Sequence, residues 1–296
     1  GVLHRLLREL LGRYVTEQLR ELLVRQIRPP ALEPLERLAR HVVDDGLVTL
    51  DGGSRGLGLQ IAHALGEAGA KVVLSSRKQS ELDEAVAELK AAGIDASAIA
   101  ADCGDTQGAL ALAGEAINRL GEVDILVNNA GATWGAPAED HPLEAWDKVM
   151  NLNVRGIFVL TQAIGKASMI PRKTGSVINV ASIAGLGGNP PFMKTIAYNT
   201  SKAAVINFTR TLAAEWGRYG IRVNALAPGF FPSKMTKGLM QAAGGSDEIA
   251  KHAPLLRIGD DEDLKGAALL FASDAGKHIT GQTLAVDGGV SAVTGG

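Results

Sequence analysis

The chain has 296 residues, of which 46% are hydrophobic and 21% charged, and its formal net charge at pH 7 is −2. This composition supports a packed core and excludes wholesale disorder, and Lys and Arg are not in the excess that a dedicated nucleic-acid-binding protein needs. One cysteine, Cys103, excludes a disulfide framework, and six scattered histidines lack the spacing of metal ligands. We therefore expect no metal site and a reducing, cytoplasmic location.

Residues 1–46 differ in pattern from the rest of the chain. Apolar residues recur at spacings of three and four from Leu3 to Ile27, which predicts an amphipathic helix that a proline pair beginning at Pro29 stops. A second short helix is expected to start near Pro34. Seven acids nearly balance eight arginines, whereas transit peptides are poor in acids. We expect a helical extension packed on the main domain or on a second subunit, and no membrane contact.

From residue 47 onward, short apolar runs alternate with helical stretches, and no apolar run is long enough to span a bilayer. The predicted strands are Leu47–Leu50, Lys71–Leu74, Ala96–Ala100, Val123–Val127, Val177–Val180, Ile221–Ala225 and Gln282–Val286. Strands alternating with helices imply right-handed crossovers and a parallel sheet covered on both faces. We therefore predict an α/β fold: a three-layer, doubly wound Rossmann fold with a seven-stranded parallel sheet, plus the N-terminal helical arm.

A glycine-rich loop lies between the first predicted strand and the first predicted helix. It reads Gly52-Gly53-Ser54-Arg55-Gly56-Leu57-Gly58. Glycines in this place let the backbone approach a pyrophosphate, and the free amides at the helix start attract its charge. The loop therefore predicts a dinucleotide site, with a plain strand-to-helix turn as the alternative. The predicted contacts are Gly52, Ser54, Arg55, Gly56, Leu57 and Gly58.

The second predicted strand is followed by bases where an NAD site has an acid. An acid about 20 residues past the loop binds the ribose 2′-hydroxyl of NAD, but the next acid here is Glu81. Ser76, Arg77 and Lys78 stand there instead, and Arg55 lies in the loop itself. Because a phosphate is doubly charged and Arg grips it well, these residues predict NADP(H) as the cofactor. The alternative is that the bases merely face solvent.

Tyr198 and Lys202 open a predicted helix that runs to Trp216. Positions i and i+4 share one helical face, so the phenol and the ammonium are neighbours. A phenol titrates near 10, and bringing its pKa to about 7 needs roughly 4 kcal/mol of differential stabilisation. Lys202 and the positive nicotinamide of an oxidised cofactor could together supply it. The pair predicts general acid–base chemistry, although surface Tyr–Lys pairs are common.

Six motifs occur in order along residues 47–290. They are the loop glycines Gly52, Gly56 and Gly58; Asn128-Asn129-Ala130-Gly131; Asn153; Asn179-Val180-Ala181-Ser182; Tyr198 with Lys202; and Pro228-Gly229. Jointly they resemble the short-chain dehydrogenase/reductase family, and residues 1–46 lie outside this resemblance. The resemblance implies one Rossmann-fold domain, residues 47–296, that holds both the cofactor and the substrate.

The resemblance also implies a role for each motif residue. Tyr198 would be the proton donor or acceptor at the substrate oxygen, and Ser182 would hydrogen-bond that oxygen. Lys202 would hold the nicotinamide ribose and lower the pKa of Tyr198. Asn153 would hold a water that links Lys202 to solvent. The other implied cofactor contacts are Asp102 and Cys103 at the adenine, Asn129, Ala130 and Gly131 at the adenosine ribose, and Pro228, Gly229 and Phe231 near the nicotinamide.

Two features depart from the family pattern. Asp51 stands where the family usually has Thr, just before the first loop glycine. A carboxylate there opposes a pyrophosphate unless it faces away and accepts backbone amides. Ser182 and Tyr198 lie 16 positions apart, a few more than is common in the family. We expect the additional residues, 189–193, to bulge over the substrate mouth, with Phe192 and Met193 as an apolar wall.

The segment after Gly229 is apolar, with Lys234 and Lys237 nearby, and in the family this stretch forms a lid over the substrate. It favours a ketone or alcohol with an apolar part and an anionic tail, such as a 3-oxoacyl thioester. A sugar acid or polyol of the gluconate type is the alternative. A non-catalytic NADP-binding scaffold is the alternative from another class. The resemblance further implies a homodimer or homotetramer.

Overall fold

The computed structural model describes residues 45–293 except 235 and 243. Seven strands form one sheet in the order β3-β2-β1-β4-β5-β6-β7, and every neighbouring pair is parallel. The strands are β1 (Leu47–Asp51), β2 (Lys71–Ser76), β3 (Ala96–Ala100), β4 (Ile125–Asn128), β5 (Gly175–Val180), β6 (Ile221–Pro228) and β7 (Thr283–Val286). The predicted α/β fold with a seven-stranded parallel sheet is confirmed. The predicted arm lies outside the described residues, apart from Asp45 and Gly46.

Helices connect the strands and cover the sheet. They are α1 (Gly56–Glu67), α2 (Gln79–Ala91), α3 (Thr106–Leu120), α4 (Leu143–Met150), α5 (Ile157–Ile164), α6 (Ile170–Arg172), α7 (Ile196–Trp216), α8 (Lys237–Ala242), α9 (Ser246–Ala250) and α10 (Lys265–Ala272). The π-helical stretches Asn151–Gly156 and Gly165–Met169 join α4, α5 and α6 end to end. Within the described part of the chain, no helix is both long and apolar enough to cross a membrane.

Apolar side chains cover both faces of the sheet, as expected for a fully buried parallel sheet. On one face Val48 and Leu50 of β1 pack with side chains of α1, α2 and α10, among them Ile61, Leu82 and Phe271. On the other face the core is built from α3, α5 and α7, with members such as Leu112, Leu160 and Leu212. The resulting three layers leave the carboxyl ends of the strands as the edge where loops can form a site.

Six of the seven strands differ from their predicted bounds by one to three residues at an end, and the differences in β6 and β4 have identifiable causes. β6 continues to Pro228, beyond the predicted end at Ala225, because β7 supplies partners as far as Pro228 opposite Val286. β4 begins at Ile125 rather than Val123, because the backbone N–H of Val123 donates to the Ser168 hydroxyl at 2.8 Å and not to a neighbouring strand. Neither difference follows from local sequence, since each depends on a partner elsewhere in the chain.

A buried chain of amides crosses the sheet at its carboxyl edge. Asn128 Nδ2, at the end of β4, donates to Thr161 Oγ1 at 2.9 Å and to Asn179 Oδ1 on β5 at 2.8 Å. Asn179 Nδ2 in turn donates to Thr209 Oγ1 of α7 at 2.9 Å. All four residues are buried, so each of these hydrogen bonds is costly to lose. The network fixes α5 and α7 against the ends of β4 and β5.

Candidate active site

The loop between β1 and α1 has no room for side chains at its close approaches. Gly52 has a φ of +71°, and a Cβ there would lie 2.7 Å from the backbone nitrogen of Ala130. A Cβ on Gly58 would lie 2.2 Å from the carbonyl oxygen of Gly52. Asn129 Nδ2 donates to that same carbonyl at 2.7 Å and fastens the loop to the end of β4. The loop is therefore a bare backbone cradle of the kind that admits a diphosphate.

The first turn of α1 faces this cradle with free amides. Arg55 is the residue at the N-cap, and no described side chain caps the turn. The first N–H groups of a helix lack intrahelical partners and carry the positive end of its dipole. Ser54 and Leu57 are both half-buried. The predicted loop residues therefore gather at one anion-binding position.

Asp51 lies buried beneath the loop at the end of β1. Its carboxyl is hydrogen-bonded to the backbone of Gly52 and to the thiol of Cys103, and 6% of the residue is exposed. Burial raises the pKa of Asp51 to about 6; the two hydrogen bonds oppose this shift, and the charge of Asp102 adds to it. The carboxyl thus faces the interior and accepts an amide, which is the arrangement that a neighbouring diphosphate requires.

The predicted adenine contacts after β3 occupy different surroundings. Asp102 is exposed, and its carboxylate accepts the backbone N–H of Gly104 at 3.0 Å. Cys103 is 3% exposed, and burial raises the pKa of its thiol far above the usual range, with Asp51 adding to the effect. A thiol held neutral packs against its neighbours and is no nucleophile. Only the backbone of Cys103 can therefore serve the adenine contact.

The bases predicted to bind a 2′-phosphate lie together at the end of β2. The hydroxyl of Ser76 is buried without a hydrogen-bond partner among the described residues. Arg77 and Lys78 are exposed. Arg55, from the neighbouring loop, forms an ion pair with Glu81, and Lys78 pairs with the same carboxylate at 3.4 Å. In the sequence Glu81 is only the next acid after the second strand; its place in the first turn of α2 brings it to these bases.

Ser182, Tyr198 and Lys202 converge at the carboxyl end of β5. Ser182 is a neighbour of the Tyr198 phenol whose hydroxyl acts to lower the pKa of that phenol by hydrogen bonding. Lys202 is 3% exposed, and its Nζ lies 5.6 Å from the centroid of the Tyr198 ring. That ammonium donates to the carbonyl oxygen of Val180 at 2.7 Å. The structure therefore brings the three predicted catalytic side chains into one cluster.

The ionisation of this cluster differs from the simple Tyr–Lys expectation. Burial raises the pKa of Tyr198, and the hydrogen bond with Ser182 opposes that shift without reversing it. Burial also lowers the pKa of Lys202 to about 8. In the protein alone the phenol is thus neutral at pH 7 and holds a proton for donation. Lys202 does not by itself bring the phenol near 7, because burial disfavours both charged forms.

Asn153 lies in the π-helical stretch between α4 and α5, where it is fully buried. Its Oδ1 accepts the backbone N–H of Ala132 at 2.8 Å, and its Nδ2 donates to the Ala132 carbonyl and to Ser201 Oγ, both at 2.9 Å. A Cβ on Gly131 would lie 3.6 Å from both Asn153 Oδ1 and Lys202 Nζ. Asn153 therefore sits beside Lys202, but its amide also fixes the loop that follows β4.

The three residues predicted to lie near the nicotinamide, at and after the end of β6, differ in their surroundings. β6 ends at Pro228, and the backbone N–H of Gly229 donates to Val286 at 3.0 Å. A Cβ on Gly229 would lie 2.7 Å from the Cβ of Asp287, so the chain must be bare there. The side chain of Phe231 is 3% exposed and packs in the core against Gly259. Of the three predicted nicotinamide contacts, Phe231 therefore turns its ring away from the surface.

The segment after Ser182 lines an open cavity of about 500 Å³. Its lining residues are Ala136–Glu139, Gly188–Pro191, Lys194–Ile196 and Asn199. Asn189 Nδ2 donates to Thr195 Oγ1 and to Asn199 Oδ1, both at 3.1 Å, so the insertion is tied to the start of α7. Phe192 is 60% exposed and is not part of this lining. The insertion therefore lines this cavity with Asn189, Pro190 and Pro191, whereas neither Phe192 nor Met193 forms the expected apolar wall there.

No described group of three His, Cys, Asp or Glu side chains is arranged to hold a metal ion. The reactive groups gathered at this site are the hydroxyls of Ser182 and Tyr198 and the amine of Lys202. Two hydroxyls side by side can donate to one substrate oxygen, and negative charge that develops there is stabilised. The arrangement is suited to adding hydride to a carbonyl carbon, or removing it from an alcohol.

Comparison with known proteins assigns the family. The family profile described as enoyl-(acyl carrier protein) reductase, of the short-chain dehydrogenase type, matches residues 52–291. The chain belongs to the short-chain dehydrogenase/reductase family and is an oxidoreductase.

Two relatives and one solved structure show how similar the chain is to known members of this family. The chain is 39% identical over 241 residues to gluconate 5-dehydrogenase of Gluconobacter oxydans, a match that covers 81% of this chain and 92% of the relative. It is 38% identical over 241 residues to the 3-oxoacyl-[acyl-carrier-protein] reductase of a Synechocystis species, covering 81% and 94%. A crystal structure of gluconate 5-dehydrogenase from Burkholderia cenocepacia, in complex with NADP and tartrate, superposes with a TM-score of 0.80 at 34% identity, covering 86% of this chain and 99% of that one.

Asp51→Asn removes the buried carboxyl beneath the loop. The folded protein holds this proton more tightly than the unfolded chain, because burial raises the pKa from 3.8 to about 6. Between about pH 4 and pH 7, wild type should therefore lose about 2 to 3 kcal/mol of unfolding free energy relative to the variant. Urea unfolding of both proteins across this range measures the difference. Asp95→Asn, at an exposed aspartate, is the control. A difference between wild type and Asp51→Asn that does not depend on pH would contradict the raised pKa of Asp51.

Proposed function

We propose that the protein is an NADP(H)-dependent oxidoreductase that interconverts a ketone and a secondary alcohol, with Tyr198 as the general acid and base. The observation that carries this proposal is that Tyr198, with Ser182 as a neighbour that acts to lower its pKa, lies beside the buried ammonium of Lys202. These groups lie at the carboxyl edge of a parallel sheet, where ligands of such folds bind.

Two features support NADP(H) as the cofactor: the glycine loop before α1 and the bases at the end of β2. Gly52 and Gly58 permit the tight loop, a Cβ on Gly56 would meet open space, and the amides at the start of α1 would face a bound diphosphate. Ser76, with a buried and unpartnered hydroxyl, and the exposed bases Arg55, Arg77 and Lys78 would hold the 2′-phosphate. Asp102, Asn129, Ala130 and Gly131 border the adenosine side, and Pro228 and Gly229 the nicotinamide side. The NADP complex of the Burkholderia relative agrees with this choice.

Each side chain then has a distinct part in the reaction, and the nicotinamide supplies or accepts the hydride when bound. Ser182 donates a hydrogen bond to the substrate oxygen and fixes its direction. Tyr198 gives its phenolic proton to that oxygen in reduction and takes it back in oxidation. Lys202, held by Val180, places positive charge beside the phenol as its proton leaves. Asn153 holds the Ala132 backbone next to Lys202 and can position a water on the proton's path.

The substrate proposed first is a 3-oxoacyl thioester, which the Synechocystis relative's name also describes. The apolar segment after Gly229 suits its acyl chain. The cavity beside Asn189 favours a second candidate, a sugar acid of the gluconate type, because Lys194 and Glu139 in its lining can bind a carboxylate and hydroxyls. The Gluconobacter relative is named for that substrate.

A panel of carbonyl compounds separates the two candidates. NADPH oxidation is measured with a 3-oxoacyl thioester and with a keto-gluconate, for wild type and for Lys194→Gln. If a sugar acid is the substrate, the variant should raise KM for the keto-gluconate roughly tenfold, since a carboxylate loses its cation. If a thioester is the substrate, the variant should leave its KM unchanged. Turnover of neither compound would contradict both substrate assignments.

Tyr198→Phe tests the acid–base role. The variant lacks the hydroxyl that transfers the proton but keeps the ring that packs beside Lys202. We expect kcat to fall by roughly 10² to 10⁴, while the affinity for NADPH, measured by fluorescence titration, stays near that of wild type. Tyr219→Phe, which changes a tyrosine bonded to Arg218, is the control.

Two outcomes of this experiment would contradict the role. One is a variant that retains full turnover. The other is a wild-type protein that binds NADPH but reduces no carbonyl compound, as a non-catalytic NADP-binding scaffold would.

We also propose that the protein forms a homo-oligomer, either a dimer or a tetramer. Phe158 on α5 is 48% exposed and makes an edge-to-face contact with Phe208 of α7, with the ring centroids 6.5 Å apart. A shallow groove beside these rings also has Lys166 and Glu215 in its lining. A second copy related by a two-fold axis would bury the rings and could pair the two charges reciprocally. The buried free thiol of Cys103 agrees with action in the cytoplasm.

Phe158→Asp should break this contact, because a charged group cannot be buried in an apolar interface without a partner. The mass in solution, measured by light scattering after size exclusion, is expected to drop to that of a smaller assembly. Leu110→Asp, at a residue of similar exposure on α3, should leave the mass unchanged. An unchanged mass for the Phe158 variant would overturn the assignment of this face.

A further inference from the structure

Glu81, in the first turn of α2, pairs with three bases from separate parts of the chain. Glu81 forms an ion pair with Arg55 of the glycine loop and accepts from Lys78 Nζ at 3.4 Å. The third base is Lys234, whose Nζ lies 3.4 Å from Glu81 Oε1 although it is 153 residues away in the chain. Lys234 belongs to the segment that follows β6. The segment that begins after Pro228, which we propose to lie near the nicotinamide, therefore reaches the bases that we propose to bind the adenosine side of the cofactor.

The cluster has more positive charge than its carboxylate can neutralise. Desolvation acts to raise the pKa of Glu81, but Arg55, Lys234 and Lys78 together hold it below its usual range. The side chains of the three bases are 51%, 73% and 70% exposed, whereas that of Glu81 is 20% exposed. Exposed lysines and arginines can reorient at little cost. The bases can therefore transfer to another anion that enters between them.

A phosphate monoester suits this position better than one carboxylate. It carries close to two negative charges and three acceptor oxygens, so it can receive several charge-assisted hydrogen bonds at once. The buried hydroxyl of Ser76, on the strand that ends here, has no partner among the described residues and can donate one more. Arg77, which follows it, is exposed at the same strand end.

We propose that Lys234 is a cofactor-specificity residue, the base that the segment after β6 contributes to the 2′-phosphate of NADP(H), and that Glu81 is the resident counter-ion which this phosphate displaces. The inference rests on the proposed NADP(H) dependence and adds to it a residue from the substrate side of the crevice. Lys234 discriminates NADP(H) from NAD(H), because only the former brings the charge that frees it from Glu81.

Binding of nucleotide fragments tests this without catalysis. Adenosine 2′,5′-bisphosphate and adenosine 5′-monophosphate are titrated by calorimetry into wild type, Lys234→Gln and Lys237→Gln. Lys237 lies on the same segment, is exposed, and makes no ion pair among the described residues, so it is the matched control. Lys234→Gln should weaken the bisphosphate roughly three- to tenfold and leave the monophosphate unchanged. Lys237→Gln should change neither.

Glu81→Gln should change the affinity for the bisphosphate in the opposite direction. It removes the competing carboxylate and should tighten the bisphosphate roughly threefold or more, again without effect on the monophosphate. Equal losses for both nucleotides in Lys234→Gln, no loss for either, or weaker bisphosphate binding in Glu81→Gln would overturn the inference. A wild-type protein that does not prefer the bisphosphate would instead contradict the NADP(H) proposal itself, so the two failures are distinguishable.

Discussion

The hydrogen bond from Lys202 Nζ to the Val180 carbonyl is the contact on which the site depends. It joins the first turns of α7 to the end of β5, and it satisfies an ammonium that is otherwise buried. Because Tyr198 lies one helical turn earlier, the same contact fixes the phenol beside Ser182. Without this bond the buried amine would lose its acceptor.

Buried hydrogen bonds at the carboxyl edge of the sheet hold the strand ends in the position that this contact requires. Asn128, Asn179 and Thr209 link β4 and β5 to α7 through buried hydrogen bonds. Asn129 performs the same task for the glycine loop, and Asn153 for the loop after β4. These amides bond to backbone groups, to Thr and Ser hydroxyls and to each other, so the backbone around Ser182 and Tyr198 is held by neighbouring side chains. Rigid support of this kind is what precise proton transfer requires.

Local pattern predicted much of this arrangement. The alternation of strands and helices determined the sheet, and the spacing of Tyr198 and Lys202 placed them on one helical face. Contacts between distant parts of the chain could not be foreseen. Glu81 and Lys234 meet across 153 residues, Phe231 packs against Gly259, and the π-helical stretch that carries Asn153 has no simple periodic signal. The sequence predicts that Asp51 opposes a diphosphate, but only its burial against Cys103 explains how the loop tolerates it.

The central claim is that Tyr198 is a neutral proton donor in the free protein and that the positive charge of an oxidised cofactor is needed to favour its phenolate. Titration of tyrosinate absorbance, taken as the difference between wild type and a variant lacking this phenol, measures it directly. The account predicts a Tyr198 pKa above its usual value without nucleotide and a lower one in the presence of NADP⁺. A phenol that already titrates below its usual value in the free protein, or one that NADP⁺ does not shift, would contradict it.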